Sequence, residues 1–553
     1  MSAFQFLKKR WSVPGCLFSI LFSLACIIGG SVYRTNSING IFTSPLSLCR
    51  AVLGLILIWA VTMICFTLLS EGLRSYGPGA AMETEKSYPV YFRPLLFVLL
   101  MAEYLLVLAA YHPGVFSYDI TLQTDQALGL VPYNKFHPPL HTLIWSLCLK
   151  LSGLISSEAS LQTVIEGGMT VYAVFQSILL AVLLSGIPFR LFRPDTKRGR
   201  AGTVLLILFF LCNPLIWIFA VIPTKDALFA IFFTGVIYRL IMIFRDPKSK
   251  RDIILLTVDL ILSMLLRNNA VYAFLLAAAC MLFLINKTDI RSKKRLPILF
   301  AATILISFLI QGPVYNLLGV DGGDPREALS LPYQQMAHVY VSEREQLSAE
   351  DLAAISAYLD TEKIPAAFNP RFADPVKNLA DKDELSETGS SAFLPTCFRL
   401  FCHYPDNYIN EFLTLNVSAW YPLAIGPDAV AGRDYIETFI ARYEPAQPER
   451  DSYLPGVMDF LDGIASFQSL KGIPVLNLLC SASTPVWILL LILFLMTDRG
   501  QKTGRIVLLP SLFLWATYLA GPVTCTRYIY PLMLALPLQI FVLLHPPASE
   551  TDK

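Results

Sequence analysis

Long apolar runs separated by short polar links dominate this chain. At about 20 apolar residues per bilayer crossing, the pattern predicts spans near 14–33, 47–69, 92–111, 169–189, 201–220, 227–244, 253–266, 270–286, 296–317, 473–497, 505–521 and 528–545. The stretch 138–154, PPLHTLIWSLCLKLSGL, is apolar too, and its placement decides the sidedness of everything after it. Two polar stretches are long, 112–168 and 318–472. The second is long enough for a domain, with a capping signal at Ser348 to Asp351 ahead of LAAISAYL. The expected fold is an all-α polytopic membrane protein of about 12 transmembrane helices. It has an interfacial helix in the first large outer loop and a large extracytoplasmic loop domain. In chain order this gives a two-helix extension (1–90), a transmembrane core with outer loop 112–168 (91–317), the loop domain (318–472) and C-terminal transmembrane helices (473–553).

Composition agrees. Of 553 residues, 55% are hydrophobic and 15% charged, and the mean hydropathy is +0.56, values that a water-soluble globular protein of this size does not need. The net charge of +2 conceals a segregation. With 138–154 lying along the interface, Lys8, Lys9 and Arg10, then Arg74, Lys86 and Arg93, then Arg190, Arg193, Lys197, Arg198 and Arg200 fall on one side. They are joined there by Arg239, Arg245, Lys248, Lys250 and Arg251, by Lys287, Arg291, Lys293, Lys294 and Arg295, and by Arg499, Lys502 and Arg505. The short opposite links keep only Arg34, Lys225, Arg267 and Arg527. The positive-inside rule then places the basic links and both termini in the cytoplasm. If 138–154 crossed, RPDTKRGR, FRDPKSKR and KTDIRSKKR would all face outward, so the interfacial placement is adopted. The basic residues are topology signals, and they do not argue for nucleic-acid binding. The N-terminal MSAFQFLKKRW and the apolar run after it, with no small-residue cleavage site, read as a retained first helix. The 11 cysteines sit mostly in apolar runs, where a thiol behaves as a small hydrophobe. Cys397 and Cys402 in CFRLFC are open to a local disulfide if their segment lies outside the cell. Asn416-Val417-Ser418 fits a glycosylation sequon.

Candidate chemistry collects on the side with few basic residues. The loop YHPGVFSYDITLQTDQALGLVPYNKFHPPLH (111–141) centres on Asp119, with Tyr118 before it and His112, Asp125 and His137 nearby. Asp119 stands where lipid meets water, although an aspartate before ITLQTDQAL is also a good N-cap. Lys225-Asp226 follows Pro223 at the start of a span, where free N–H groups and the helix dipole attract anions; the plainer reading is a charged pair marking the membrane boundary. Arg267-Asn268-Asn269 fills a tight outer turn, where an arginine either snorkels to headgroups or points into a cavity. Arg527-Tyr528 opens the last span, as a bidentate phosphate grip or as a headgroup anchor. His137 and His141 are spaced for a shared metal, but no third ligand is near in sequence; Pro138 and Pro139 starting a helix is the simpler account. Glu103 and Asp259 are the clearest acidic residues inside spans.

Taken together, SYD in an outer loop after an early span, the helix 138–154, KD and RNN in later outer turns, a large outer segment and a terminal RY resemble the GT-C superfamily of integral-membrane glycosyltransferases. Those enzymes use polyprenyl-phosphate-linked sugars. The resemblance covers most of the chain from about residue 90. PGVFSYD, HPPLHTL and PTKDALFA are also similar to a group of uncharacterised bacterial membrane proteins near that superfamily. The resemblance implies that Asp119 is the loop aspartate acting as general base or metal-binding residue, and that Lys225, Arg267 and Arg527 contact the donor phosphate. It adds Tyr118, Asp125, His137, Asp226, Asn268, Asn269 and Tyr528 as candidate substrate contacts. Two features depart from the family pattern: an extension of about two spans precedes the unit, and no paired DE or DxD stands beside Asp119. The second leaves a divalent cation an open candidate cofactor. The expected activity is inverting transfer of a sugar from a polyprenyl-phosphate carrier to an extracytoplasmic acceptor. A flippase for lipid-linked saccharides and an envelope polysaccharide polymerase or ligase are the rival readings.

Overall fold

The computed structural model describes residues 11–76, 87–155, 160–286, 295–380, 390–424, 436–467 and 481–546. Both chain termini, Lys8 to Arg10, Lys86 and the basic link from Lys287 to Lys294 lie outside the described residues, as do residues 473–480 of the eleventh apolar run counting 138–154. Among the described residues there are helices and isolated bridges but no β-strand.

The principal helices through the apolar regions are α1 (Val13–Thr35), α2 (Pro45–Tyr76), α3 (Phe92–Ala110), α4 (Tyr118–Ala127), α5 (Pro139–Ile155), α6 (Leu161–Leu191), α7 (Lys197–Cys212), α8 (Pro214–Val221), α9 (Lys225–Arg245), α10 (Lys250–Leu266), α11 (Ala270–Asn286) and α12 (Arg295–Leu309). The outer segment then contributes α13 (Ser330–Glu343), α14 (Ser390–His403), α15 (Pro405–Leu415) and α16 (Pro455–Ala465). The chain ends with α17 (Thr484–Asp498), α18 (Lys502–Tyr518) and α19 (Thr526–Leu544).

The described part of each predicted span is largely helical, with 201–220 divided between two helices. Seven helices among the described residues are long and apolar enough to cross a bilayer, or eight if the pair α7 and α8, bent by 53°, is one span. The bend falls at Asn213-Pro214, where the Asn213 side chain caps the second half by accepting from the Leu215 N–H at 3.0 Å, because proline cannot continue the hydrogen-bond ladder of the first. Helices α10, α11 and α18 have 17 residues each, or about 26 Å, a little short of a full hydrocarbon core.

Helix α9 is the axle of the bundle, with nearly all of its side chains buried. It packs on α10 and α19, and α11 packs on α18. One end of the bundle is basic. There Asp252 receives Arg190 and Arg239, each at 3.3 Å, Arg245 donates to the carbonyls of Arg190 and Leu191 at 3.0 Å, and Arg74 pairs with Asp498 at 2.9 Å. The other end is where α9 begins, about 30 Å away along its 21 residues. Helix α5 packs on α4 and α6, burying Trp145, Cys148 and Leu149 while exposing Leu143, Leu147, Leu151 and Leu154 along one stripe.

The long segment between α12 and α17 has an apolar cluster of its own, around Tyr333, Met336, Ile355, Phe393 and Leu400, and Ser348 caps its helix at Asp351 N–H as the sequence indicated. Its later part turns back onto the bundle: Phe116 bridges Ile440, and Leu461 and Ile464 join the main core. Cys397 and Cys402 are free thiols. They lie five residues apart on α14, which turns one into the core and the other outward, so a disulfide between them is not formed. Asn416 is no accessible sequon, since it is 1% exposed and its amide donates to the Phe412 and Leu519 carbonyls.

Candidate active site

Five stretches remote in sequence meet at the end of the bundle opposite the basic one. Helix α4 begins at Tyr118 after Ser117, so Asp119 stands in the first turn and not at the cap. That corrects the capping alternative and frees its carboxylate to face the bundle. Thr224 caps α9 by accepting from the Ala227 N–H at 3.2 Å, so Lys225 and Asp226 occupy the first turn of that helix. Arg267 ends α10. Glu437 comes from the non-helical stretch just before the bridge at Ile440, and Arg527 from the first turn of α19.

These side chains form a chain of ion pairs. Asp119 Oδ2 lies 3.5 Å from Lys225 Nζ and 3.4 Å from Arg527 Nη1. Arg527 Nη1 also lies 3.6 Å from Glu437 Oε1, and its Nε 3.6 Å from Asp226 Oδ2. Asp226, fully buried, pairs with Arg267 as well. The cations rest on aromatic faces: Lys225 over Phe136 at 5.5 Å, Arg267 over Tyr528 at 4.4 Å and Tyr518 at 4.9 Å, and Arg527 over Tyr528 at 5.4 Å. Three acidic and three basic groups thus balance in a site that is only partly open, with Asp119 19% and Arg527 17% exposed. Burial alone raises a carboxyl; the Lys225 ammonium and the Arg527 guanidinium outweigh it here and hold Asp119 well below the usual carboxylate range.

His137 closes one side. Burial, with Lys225 adding to it and Asp119 opposing it, pushes its imidazole down to about 3. It is therefore neutral, and its buried Nδ1 makes no hydrogen bond. His141 does not join it as a ligand pair. Its two ring nitrogens lie 2.9 Å from Gln123 Oε1 and 2.8 Å from the Tyr172 hydroxyl. Among the described residues no group of three or more His, Cys, Asp or Glu side chains is arranged to hold a metal ion.

Of the residues singled out in the sequence, Asp119, Lys225, Asp226, Arg267, Arg527, Tyr528 and His137 come together. Asn269 supports them from behind, accepting from Arg267 Nε at 3.0 Å and donating to Thr517 at 2.8 Å. Asn268 is exposed and ties down the Lys135 carbonyl. Tyr118 is 54% exposed and packs on Phe439. Asp125 accepts from the Tyr443 hydroxyl at 2.7 Å, an anchor for the outer segment set apart from the cluster. Glu437 was not singled out in the sequence. It sits in a polar stretch with no apolar period to orient it, and its signal is only a carboxylate in the face-sharing segment. Beside Arg527 lies a cavity of about 40 Å³ lined by Thr224, Asp374, Glu437, Cys525, Tyr528 and apolar neighbours.

A helical membrane protein whose links at one bundle end converge on a partly open, charge-balanced cluster is the class that this fold and site define. The chain belongs to the family described as "Family of unknown function (DUF6020)", whose model matches residues 137–553. The matched part includes Lys225, Asp226, Arg267, Glu437 and Arg527, while Asp119 precedes it. No curated protein and no solved structure matches the chain.

Proposed function

We propose that the protein is a membrane glycosyltransferase that moves a sugar from a polyprenyl-phosphate carrier to an acceptor hydroxyl. In this reading about 12 helices cross the bilayer, helix α5 lies along the interface, the termini are cytoplasmic and the cluster faces outward. The observation that carries it is Lys225 and Arg527 on one carboxylate, Asp119, within a partly open site at a bundle end. Two cations held together are a ready grip for a phosphate, which presents several acceptor oxygens and a larger charge than the resident carboxylate.

Donor binding sets up the chemistry. When phosphate takes up the two cations, their pull on Asp119 is shared and negative charge arrives beside it, so its basicity rises toward the range a general base needs. Asp119 then takes the acceptor's proton as the acceptor oxygen bonds to the anomeric carbon. The bond from that carbon to the phosphate oxygen breaks, and its electron pair leaves on the lipid phosphate held by Lys225 and Arg527. Arg267 acts from behind through Asp226, which steadies Arg527. Attack opposite the leaving group inverts the anomeric centre.

The bent pair α7 and α8 favours one rival, since discontinuous helices serve transporters. A single assay separates the two. Purified protein in liposomes is given labelled undecaprenyl-phosphoryl hexose. Release of lipid phosphate that is abolished in D119N supports transfer. Translocation of intact donor without cleavage supports the flippase and removes the transferase reading.

A further inference from the structure

The cavity beside Arg527 is bounded by parts of the chain that only meet in the folded protein. The link 222–224, the turn at Asp374 and the turn before α19 enclose it with Ile436 and Glu437. The Ala373 N–H donates to the Pro522 carbonyl at 2.9 Å, which locks two of those walls together. On these walls Glu437 is 14% and Arg527 17% exposed, so charged groups face a partly open recess of about 40 Å³. That is room for about three waters. Whatever replaces such water has to satisfy the same groups by hydrogen bonding.

The wall chemistry narrows the occupant. The two carboxylates are each already paired, Glu437 with Arg527 at 3.6 Å and Asp374 with Lys377 at 2.9 Å, so the wall carries no surplus positive charge for a further anion, and the phosphate that suits Lys225 and Arg527 together is out of place here. Arg527 on the same wall repels a cation. A neutral group with several hydroxyls meets neither objection. Its hydroxyl hydrogens go to the carboxylates, and its oxygens take hydrogens from the guanidinium and from Thr224, whose hydroxyl oxygen caps α9 and whose hydrogen remains to be given. Phe219 and Tyr528 also line the cavity and supply apolar surface for the C–H side of such a group.

We propose that this cavity is a sugar subsite in which Glu437 and Asp374 hold the hydroxyl-bearing edge of a hexose next to the phosphate-gripping cations. The proposal rests on the transferase reading above and adds to it residues that recognise the sugar. The hydroxyls have two possible sources, the donor's own sugar and a sugar acceptor, and the test separates them.

Full-length wild type, E437Q and D374N are purified in detergent, and the binding of undecaprenyl phosphate and of undecaprenyl-phosphoryl glucose is compared by native mass spectrometry. If the donor's sugar occupies the cavity, both variants bind the sugar-bearing lipid about tenfold more weakly and bare undecaprenyl phosphate as wild type does. If the acceptor occupies it, both lipids bind normally and the variants need about tenfold more methyl glycoside to saturate release of lipid phosphate. Variants that match wild type in all of these overturn the subsite and leave the transferase standing. Wild type that binds neither lipid overturns the transferase reading, and the subsite falls with it. Loss confined to sugar-bearing ligands is an outcome that general destabilisation does not produce, and D374N carries the test should E437Q fail to fold.

Discussion

Replacing Asp119 by asparagine separates binding from turnover in a way only this cluster predicts. The substitution keeps the shape and removes one negative charge from between Lys225 at 3.5 Å and Arg527 at 3.4 Å. At an effective dielectric of about 20, each pair carries roughly 5 kcal/mol of attraction, most of it offset by the desolvation needed to assemble it. A phosphate entering wild type competes with that carboxylate, whereas one entering D119N meets Lys225 released from it and Arg527 held only by Glu437 and Asp226, each at 3.6 Å. If only a quarter of the released attraction reaches the ligand, affinity for undecaprenyl phosphate rises by about 10- to 100-fold, or about 1.4–2.8 kcal/mol. Sugar transfer meanwhile falls by about 10² to 10⁴ for want of a proton acceptor. The empty variant is less stable by about 3 kcal/mol, because two buried cations then face each other. The assay is a dissociation constant for undecaprenyl phosphate in detergent at low and high salt, beside a donor-cleavage rate on the same preparation. A folded D119N that binds the lipid no more tightly than wild type would refute the competition on which the reasoning rests.

Removing Arg267 leaves the fully buried Asp226 with only the longer contact to Arg527, at 3.6 Å, so R267M should lower stability by about 3 kcal/mol, and R267M/D226N should recover most of the loss in a thermal melt; an additive double variant would refute the pairing. His137 and His141 are 3% and 0% exposed and both are pushed down to about 3, by burial first and then by Lys225. The unfolded chain therefore binds their protons near pH 6.5 while the folded chain does not, and stability should fall with acidity from pH 6.5 toward 4.5 by up to about 1.4 kcal/mol per pH unit for each. H137Q should remove about half of that slope, and an unchanged slope would argue against a buried neutral imidazole. Y443F loses the hydrogen bond to Asp125 and should cost about 1.5–3 kcal/mol while leaving lipid-phosphate affinity untouched, because Asp125 lies outside the cluster; weaker binding would place it inside.

Much of the helical layout could be read from the apolar runs, because in a bilayer the backbone has little choice but to close its own hydrogen bonds. The gathering of Asp119, Lys225, Arg267 and Arg527 was legible for a similar reason. Their links fall on one end once the basic links are assigned to the other, and a bundle narrow enough to pack must bring neighbouring helix ends together. The finer assignments failed where geometry depends on partners far away in sequence. Asp125 follows Asp119 by six residues, and on α4 that turns it well away from the same face, toward Tyr443. RDYIETFIARY has no clear apolar period, and residues 436–440 form no helix; the bridge between Phe116 and Ile440 is what delivers Glu437 to the site. The bend between α7 and α8 was written in Asn213-Pro214, a cap followed by a helix-starting proline, inside what hydropathy alone reads as a single run.

The contact between Asp119 and Arg527 joins residues 408 positions apart, and this bears on how the protein is made. At 5–20 residues per second, the ribosome delivers the arginine roughly 20–80 s after the aspartate. For the last three quarters or so of that interval Lys225 is the partner available to the early loop, and the half-built core keeps a vacancy until α19 inserts. Chains that stop short of residue 526 should therefore be marked for proteolysis by an open polar gap, making the helix that carries Arg527 a built-in check that synthesis has passed it.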